Sequence, residues 1–368
     1  MMILSGFDPN GPDVQTHLRK MAHAAPGGTA HTRAVTHLTA GEFTRAAQVW
    51  DQILVDHPTD ILALKCSYET SFLAGNAAAM RGATTAVLGR VDPDHPAYPV
   101  AAAQHGFALE ETGDYAAAEC WGRLAITQPP NDCRALHCLA HIWWHLSLRV
   151  IKMQDMTAAL AVFDKTHADV DAGNRFRLTD GTSLLWRLEL AGGDVGDRWQ
   201  GMAGKWAENA SLHTNGFLDL HAALAFARCP DTAAADLFFD SLSTAFDGDN
   251  SENADGFARV VKPLATALRA YPHDPKTATT QITSLFHDLH RLGGSIVQRE
   301  IVERSYSSAL IVTGASAQCT AWPDPQIDSH PYTPWLLRDR ARCADGMGDT
   351  AQATLLRSRS DLMFAGVT

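Results

Sequence analysis

The sequence is short of basic residues: 30 Lys and Arg stand against 41 Asp and Glu in 368 residues, for a formal net charge of −11. Nucleic acids and anionic membranes are bound largely through clustered Lys and Arg, so we expect neither as the main partner. There is also no run of about 18 apolar residues, as a membrane-spanning helix requires. Residues 1–10 lack the basic start and long apolar stretch of a signal peptide. These absences predict a cytoplasmic protein.

Cysteine is scarce as well, with seven residues in the chain and no Cys-x-x-Cys pair. This spacing excludes zinc-knuckle and redox motifs, and we expect most of the cysteines to be small buried apolar residues. Alternating runs of Val, Ile and Thr, the pattern of a half-buried strand, are absent too. A β-sheet is therefore not expected, while a hydrophobic fraction of 46% supplies ample apolar surface for a core.

What the sequence does contain is a repeat of glycine and proline at steps of 34 to 38 residues. The glycines are Gly41, Gly75 and Gly113, and the prolines are Pro58, Pro93 and Pro129. The step is close to the tetratricopeptide repeat of about 34 residues, in which two antiparallel helices bury their apolar face by stacking on a neighbouring pair. Each glycine is expected in a turn whose backbone conformation penalises other residues. The pattern predicts an all-α fold of tetratricopeptide-like hairpins in a curved solenoid.

Beyond residue 166 the period fades, but apolar residues continue at helical spacing. We expect helices at 182–190, 197–208, 215–228, 232–245, 258–270, 275–291 and 295–312, with a solvated loop at 247–255. The predicted organisation is an N-terminal extension (1–29), repeats (30–166), further hairpins of the same solenoid (167–321), a Pro-rich linker (322–334) and a C-terminal capping repeat (335–368).

The segment most suggestive of function is a predicted helix at 134–150 that carries His137, His141 and His145 at four-residue steps. At about 100° per residue the three imidazoles fall on one face, together with Trp144. Because His137 and His145 are about 12 Å apart along the helix axis, only neighbouring histidines are close enough to share a metal ion. The alternative, which we favour, is imidazoles that lie in the core or line a pocket without metal.

Other polar residues stand where a repeat core does not require them. Glu110 and Glu111 precede the third turn, and solvated helix-end carboxylates are the simplest interpretation. Asp180 lies where an N-cap region is expected. Asp219 and His221 interrupt the apolar run 217–223, where a buried carboxylate without a partner would be costly.

Several blocks of the sequence resemble the tetratricopeptide repeat protein 38 family, of which this chain would be a shortened member. They are WDQILVDHPTDILAL (50–64), FALEETGDY (107–115), ALHCLAH (135–141), WWHLSL (143–148), SLLWRL (183–188), RW (198–199) and LGGSIVQRE (292–300). The resemblance implies a repeat-based all-helical fold, and no reaction or ligand is carried over from the family. The positions that match the family's polar residues are Glu110, Glu111, His137, His141, His145, Asp180, Asp219, His221, Gln298 and Arg299.

Two classes of function remain open. In the first, a His- and Trp-lined inner pocket binds a small molecule or a peptide, with Trp143, Trp144, Asp180, Glu111 and Gln298 as ligand-binding residues. In the second, the protein is a hydrolase that works with or without the assistance of a metal ion. A His is then the general base, Glu110 or Asp219 orients it, and Arg299 holds an anionic group. The catalytic candidates are then His137, His141, His145, Glu110, Asp219, His221 and Arg299. No cofactor is identified, and the first and last repeats could stack on a second copy.

Overall fold

The computed structural model describes residues 11–24, 29–126, 148, 151, 155–315, 318 and 334–365. Across these ranges all regular structure is helical, with no strand, so the all-α prediction is confirmed. The α-helices are α1 (Pro12–Ala24), α2 (Ala30–Thr39), α3 (Phe43–Asp56), α4 (Ile61–Leu73), α5 (Ala77–Leu88), α6 (Tyr98–Glu111), α7 (Tyr115–Ile126), α8 (Met156–Thr166), α9 (Arg175–Leu190), α10 (Arg198–Ala207), α11 (Gly216–Arg228), α12 (Ala233–Thr244), α13 (Glu252–Gly256), α14 (Lys262–Ala270), α15 (Pro275–Thr283), α16 (Ile296–Val312), α17 (Pro334–Gly346) and α18 (Thr350–Ala365).

Helices α2 to α7 follow one another in space as they do in sequence, since each packs against the next. The three repeat glycines end α2, α4 and α6 in the left-handed region, with φ of 71° at Gly41, 69° at Gly75 and 81° at Gly113. This is the turn role predicted for them, because a side chain is strained at such a φ. Short side chains begin the next helices: the side-chain Oδ1 atoms of Asp60 and Asn76 accept hydrogen bonds from the third backbone N–H of α4 and α5.

The centre of the molecule is formed by α9, α11, α14 and α16. Helix α11 packs against both α9 and α14, while α16 packs against α9, α15 and α17. Twelve of the thirteen residues of α11 are buried, so this helix has no solvent face and runs through the core. Its large apolar side chains, among them Leu218 and Phe226, belong to one continuous apolar cluster with Trp186 and Trp206.

The first helices are tied directly to the centre through their turns. The Gly41 carbonyl accepts a 3.1 Å hydrogen bond from Asn253 N, and the Phe72 carbonyl accepts one of 2.8 Å from Gly294 N. The approach at Gly75 is so close that a Cβ there would stand 2.1 Å from the carbonyl oxygen of His290. The segment just before α16 is therefore held against the turn between α4 and α5.

Some element boundaries differ from the predicted ones. Helix α9 begins at Arg175 rather than at residue 182, because the Asn174 side chain accepts from the N–H of Arg177 and caps it there. The predicted loop 247–255 contains the start of α13, capped in the same way by Ser251. The predicted helix 275–291 is interrupted: α15 ends at Thr283 and a 3-10 helix follows at Phe286–Leu292.

Two further differences concern the predicted extension 1–29 and the start of the predicted helix 258–270. The N-terminal extension 1–29 includes α1, and a π-helical turn, Phe257–Val261, joins α13 to α14. The predicted linker 322–334 falls outside the described residues except for Pro334, the first residue of α17. No helix among the described residues has the length and apolar character needed to cross a bilayer.

The described cysteines are more varied than expected. Cys66 is buried, Cys229 is half-buried and Cys120 is exposed, and these three are not disulfide-bonded. Cys343 is disulfide-bonded. The small buried apolar role therefore fits Cys66 and does not fit Cys120 or Cys343.

Candidate functional site

Four buried polar side chains meet where α9, α11 and α16 pack together, and we call them the polar seam: Asp180, Arg187, His221 and Gln298. Asp180 and Arg187 are seven residues apart on α9 and therefore lie on one face of that helix. His221 comes from the fully buried α11, and Gln298 from the first turn of α16. Three of the four were predicted from the sequence as site residues, and Arg187 was not.

A short hydrogen bond joins α9 to α16 at one end of the seam. The amide Nε2 of Gln298 donates to the Asp180 carboxylate at 2.6 Å, and both side chains are buried. A buried polar group needs such a partner, because leaving it unsatisfied costs about 1–3 kcal/mol. The N-cap role expected for Asp180 is not what the structure shows, since α9 begins five residues earlier at Arg175.

His221 is the central residue of the seam and is fully buried. Its Nδ1 lies 2.8 Å from the carbonyl oxygen of Phe217, an acceptor, so Nδ1 carries the proton and Nε2 presents a lone pair. Among the described residues, Nε2 has no hydrogen-bond partner. Burial lowers the pKa of His221 to about 4, and the positive charge of Arg187 acts in the same direction while Asp180 opposes it. The imidazole is therefore neutral at physiological pH.

Arg187 closes the other end of the seam. Its guanidinium is fully buried, donates to the Ser183 hydroxyl and to the Val297 carbonyl (2.6 Å), and lies 3.8 Å from the Glu300 carboxylate. Burial lowers its pKa to about 9, and Glu300 counteracts that effect. Arg187 still carries its charge near pH 7, which makes it the fixed positive group of the seam.

Glu111 and Arg299 form a second buried set beside the seam. The Glu111 carboxylate accepts from the Ser295 hydroxyl at 2.6 Å and from the N–H of Ile296 at 2.7 Å, so it binds the N-terminus of α16. Arg299 donates to the carbonyls of Gly293 and His290 at 3.1 and 3.2 Å. Burial raises the pKa of Glu111 and lowers that of Arg299, and the attraction between the two opposes both shifts.

These contacts change the interpretation of Glu111. The expectation of a solvated helix-end carboxylate is wrong for it, because its side chain is buried and holds α16 in place. Glu110, the preceding residue, is half-buried and raises the pKa of Glu111 by repulsion. The guanidinium of Arg299 donates its hydrogen bonds to backbone carbonyls of the segment just before α16.

Asp219 lies away from the seam, although it is only two residues from His221. Two residues correspond to about 200° around a helix, so the two side chains leave α11 on opposite sides. Asp219 is buried beside His213, with Oδ1 2.7 Å from His213 Nδ1. Burial lowers the pKa of Arg175, and the negative charge of Asp219 counteracts that effect. The structure thus brings together Asp180, His221 and Gln298 but gives Asp219 different neighbours.

His213 itself was missed by sequence reasoning. It stands two residues before Asn215, the N-cap of α11, in a stretch without helical periodicity. Its second ring nitrogen, Nε2, lies 2.8 Å from the hydroxyl oxygen of Ser241 on α12. The only signal in the sequence was the position of Asp219 in an apolar run, because a carboxylate buried there requires a partner of this kind.

The predicted helix 134–150 falls outside the described residues apart from Leu148, so His137, His141, His145, Trp143 and Trp144 are not placed. Elsewhere in the described ranges, no three or more His, Cys, Asp or Glu side chains are grouped as a metal site would require. The chain matches no known protein-family model. Its function has to be inferred from the geometry of the seam and of the residues around Asp219.

Proposed function

We propose that the protein is a tetratricopeptide-like helical-repeat protein that binds a small molecule at the polar seam. The repeat architecture is supported by the regular succession of α2 to α7 and by the three positive-φ glycines that end every second helix of that series. The turn at Gly75 rests on the segment that leads into α16, and the turn at Gly41 rests on α13. These contacts support a site buried at the centre over an open groove along one face.

The observation that carries the ligand proposal is the Nε2 lone pair of His221, fully buried and without a partner among the described residues. A buried acceptor in this state costs free energy unless something donates to it. Folded proteins retain very few such groups, and each calls for an explanation such as a bound ligand or water. A ligand that donates a hydrogen bond to Nε2 would remove that cost.

The chemistry of the seam indicates what kind of ligand fits. His221 Nε2 accepts hydrogen bonds, and the Asp180 carboxylate already accepts one from Gln298. The charge of Asp180 acts on His221 by raising its pKa. Two acceptors in one buried region favour a ligand that carries hydroxyl, amino or amide N–H donors. Arg187 supplies a positive charge a short distance away, which suits a ligand with an anionic or carbonyl group at its other end. A small hydroxylated or amino carboxylic acid has both features, and the end group of a peptide is the larger version of the same chemistry.

The sequence-derived helix with His137, His141 and His145 is proposed to complete this site, with Trp143 and Trp144 as its apolar contacts. Resemblance to the tetratricopeptide repeat protein 38 family supports this assignment, because the same set of positions includes Asp180, His221 and Gln298. The hydrolase alternative as first formulated needs Asp219 and Arg299 beside the same imidazole. The different neighbours of those two residues favour binding over that version of catalysis.

A thermal-shift screen tests the proposal, using amino acids, hydroxy acids, polyols and short peptides on three proteins. The proteins are the wild type, His221→Leu and His105→Leu. His105→Leu is the control, because His105 is also buried and has a lowered pKa but is hydrogen-bonded to Thr84 in the first helices. We expect at least one compound to raise the melting temperature of the wild type and the control, and not that of His221→Leu. Binding at the seam would be refuted if the active compounds raise the melting temperatures of all three proteins equally, or if no compound raises that of the wild type.

A further inference from the structure

The residues around Asp219 form a connected line of three groups. Ser241 Oγ lies 2.8 Å from His213 Nε2, and His213 Nδ1 lies 2.7 Å from Asp219 Oδ1. In this order, hydroxyl, imidazole and carboxylate are hydrogen-bonded through the two different nitrogens of one ring. That is the arrangement by which serine hydrolases activate their nucleophile, and it is recognised by geometry rather than by position in the chain.

Three separate elements bring these groups together. Asp219 belongs to the first turn of α11, His213 lies in the segment before that helix, and Ser241 lies near the end of α12. The imidazole is held between aromatic rings, with centroids 5.5 Å from Phe238 and 6.5 Å from Phe257. Its position is thus determined by packing as well as by two hydrogen bonds, which is the preorganisation that a general base needs.

The carboxylate determines where the ring proton lies. Asp219 is an acceptor, so His213 Nδ1 carries the proton that it donates, and Nε2 of the neutral ring is left to accept from the Ser241 hydroxyl. The same hydroxyl lies 2.7 Å from the carbonyl oxygen of Leu237, one turn earlier on α12. It also lies 3.2 Å from the carbonyl oxygen of Phe238. The Ser241 proton therefore has three acceptors, and rotation about the Cβ–Oγ bond directs it to any one of them.

A substrate can reach one end of this line. His213 and Asp219 have 6% and 1% of their side chains exposed, whereas Ser241 is half-buried at the surface of α12. Leu237, on the same face of the helix, is 49% exposed. The buried base and the accessible hydroxyl with an apolar neighbour are the features expected of an acyl-binding site.

We propose that Ser241, His213 and Asp219 are the nucleophile, general base and base-orienting residue of an acyl-transfer site for carboxylic esters with a small apolar acyl group. In the first step Ser241 Oγ bonds to the acyl carbon while its proton passes to His213 Nε2. The bond from that carbon to the alkoxy oxygen then breaks, and His213 returns the proton to the departing alcohol. Water deacylates Ser241 by the same steps in reverse, which regenerates the hydroxyl and releases the acid.

The site is separate from the polar seam, because Asp219 and His221 leave α11 on opposite sides. Its test therefore does not depend on ligand binding at His221. The competing explanation is a structural one, in which the three residues only tie the segment before α11 to α12. Covalent capture distinguishes the two, since an unactivated helix serine reacts negligibly with organophosphorus probes.

The experiment is labelling of the whole chain with a fluorophosphonate probe, followed by peptide mass spectrometry to locate the modified residue. Ser243→Ala is the matched control for Ser241→Ala, because Ser243 is an exposed serine on the same helix whose hydroxyl donates to the Asp240 carbonyl rather than to an imidazole. His213→Gln and Asp219→Asn test the base and its orienting residue, with circular dichroism and melting curves to verify that each variant is folded.

We expect Ser241 to be labelled in the wild type and in Ser243→Ala, and labelling to be lost in Ser241→Ala. Labelling of His213→Gln should be at least about 100-fold slower, in keeping with the usual contribution of a general base, and Asp219→Asn should be slowed as well. No label on Ser241 of the wild type, or a label whose rate is unchanged in a folded His213→Gln variant, would overturn the proposal and leave the tie as the explanation. The proposal can be refuted even if the variants at His213 and Ser241 do not fold, because the wild-type result alone is sufficient for that.

Discussion

Helix α5, among the first repeats, and helix α11, at the centre, are of similar length but are built on opposite principles. Three of the twelve residues of α5 are buried, against twelve of the thirteen of α11. The outer helix follows the ordinary amphipathic pattern, with one apolar face and one wet face. The central helix has no wet face, yet it carries Asp219 and His221. Polar residues that are buried within an otherwise apolar run are the best indicators of function in this chain.

The two regions also use polar side chains differently. Some of those in the outer helices act at helix ends, as Asp60 and Asn76 do when they cap α4 and α5. In the centre they also bind from one helix to another, as Gln298 does with Asp180. An end cap contributes about 1 kcal/mol, whereas a broken buried pair leaves a desolvated group behind and costs more. Substitutions should therefore have unequal effects in the two regions.

The largest difference is expected at two glycines with similar backbone angles, Gly294 (φ 71°) in the centre and Gly113 (φ 81°) in the outer helices. An added Cβ at Gly294 would stand 2.1 Å from Phe217 Cδ2, while no atom of the described residues lies within 4 Å of one at Gly113. Both Ala substitutions incur the left-handed strain of about 1–2 kcal/mol, and only Gly294→Ala adds steric overlap. We expect a loss of about 3 kcal/mol or more for Gly294→Ala against about 1 for Gly113→Ala, measured by urea unfolding. Equal losses would contradict the tight packing at the centre.

The next effect is a pH dependence that originates in the centre. The pKa of His221 is lowered to about 4 in the folded protein, against about 6.5 in an unfolded chain. Between pH 4 and pH 6.5 the imidazole is protonated in the unfolded chain but not in the folded protein. The contribution of His221 to the free energy of unfolding is therefore fully present above pH 6.5 and is lost as the pH falls towards 4. The loss should amount to about 3 kcal/mol. Unfolding free energies at pH 7 and pH 4.5 should therefore differ more for the wild type than for His221→Leu, and parallel pH profiles would show that the imidazole is not buried in the neutral form.

A smaller effect is expected where the two regions join. Glu111→Ala removes the acceptor of the Ser295 hydroxyl and of the Ile296 N–H at the start of α16, so we expect about 2 kcal/mol of destabilisation. Glu119→Ala is the matched control, because this carboxylate lies in the open and bonds only to Arg123 one turn away. It should cost less than about 0.5 kcal/mol. Similar losses for the two variants in urea unfolding would mean that Glu111 does not hold α16.

The smallest effect concerns surface charge. Arg198 donates to both oxygens of Asp164 at 2.8 and 2.7 Å and so connects α10 to α8 in a partly exposed pair. Such pairs contribute about 0.2–1 kcal/mol and are screened by salt. Asp164→Asn should therefore destabilise the protein only slightly at low ionic strength and not measurably in 1 M salt. A loss that persists in high salt would place this pair among the structural contacts of the core.

The helical class and the turn glycines could be predicted because they depend on local rules: residue spacing and the φ that only glycine accepts easily. Asp219 and His221 could be singled out for a related reason, since polar residues in an apolar run demand partners. Their grouping into one site was the weak step, because two residues on a helix point about 200° apart. That separation was already implied by the helix predicted over residues 215–228.

What the sequence could not reveal were contacts between distant segments. Glu111 and Ser295 are 184 residues apart in the chain, and His213 and Ser241 are 28 apart on elements of different kinds. Neither pair has a local pattern, because a carboxylate at a helix end and a serine near another helix end are common on protein surfaces. Only the packing of α6 on the start of α16, and of α12 beside α11, turns them into specific contacts.

The most direct test of the central claim, that the polar seam is a ligand site, is ¹⁵N NMR of the histidine rings with the compound that stabilises the protein. The account predicts that His221 Nε2 resonates as an unprotonated acceptor near pH 7 and that its signal moves when the compound is added, while the signals of His105 stay in place. A proton on Nε2 in the free protein, or a His221 signal that the compound leaves unchanged, would contradict it.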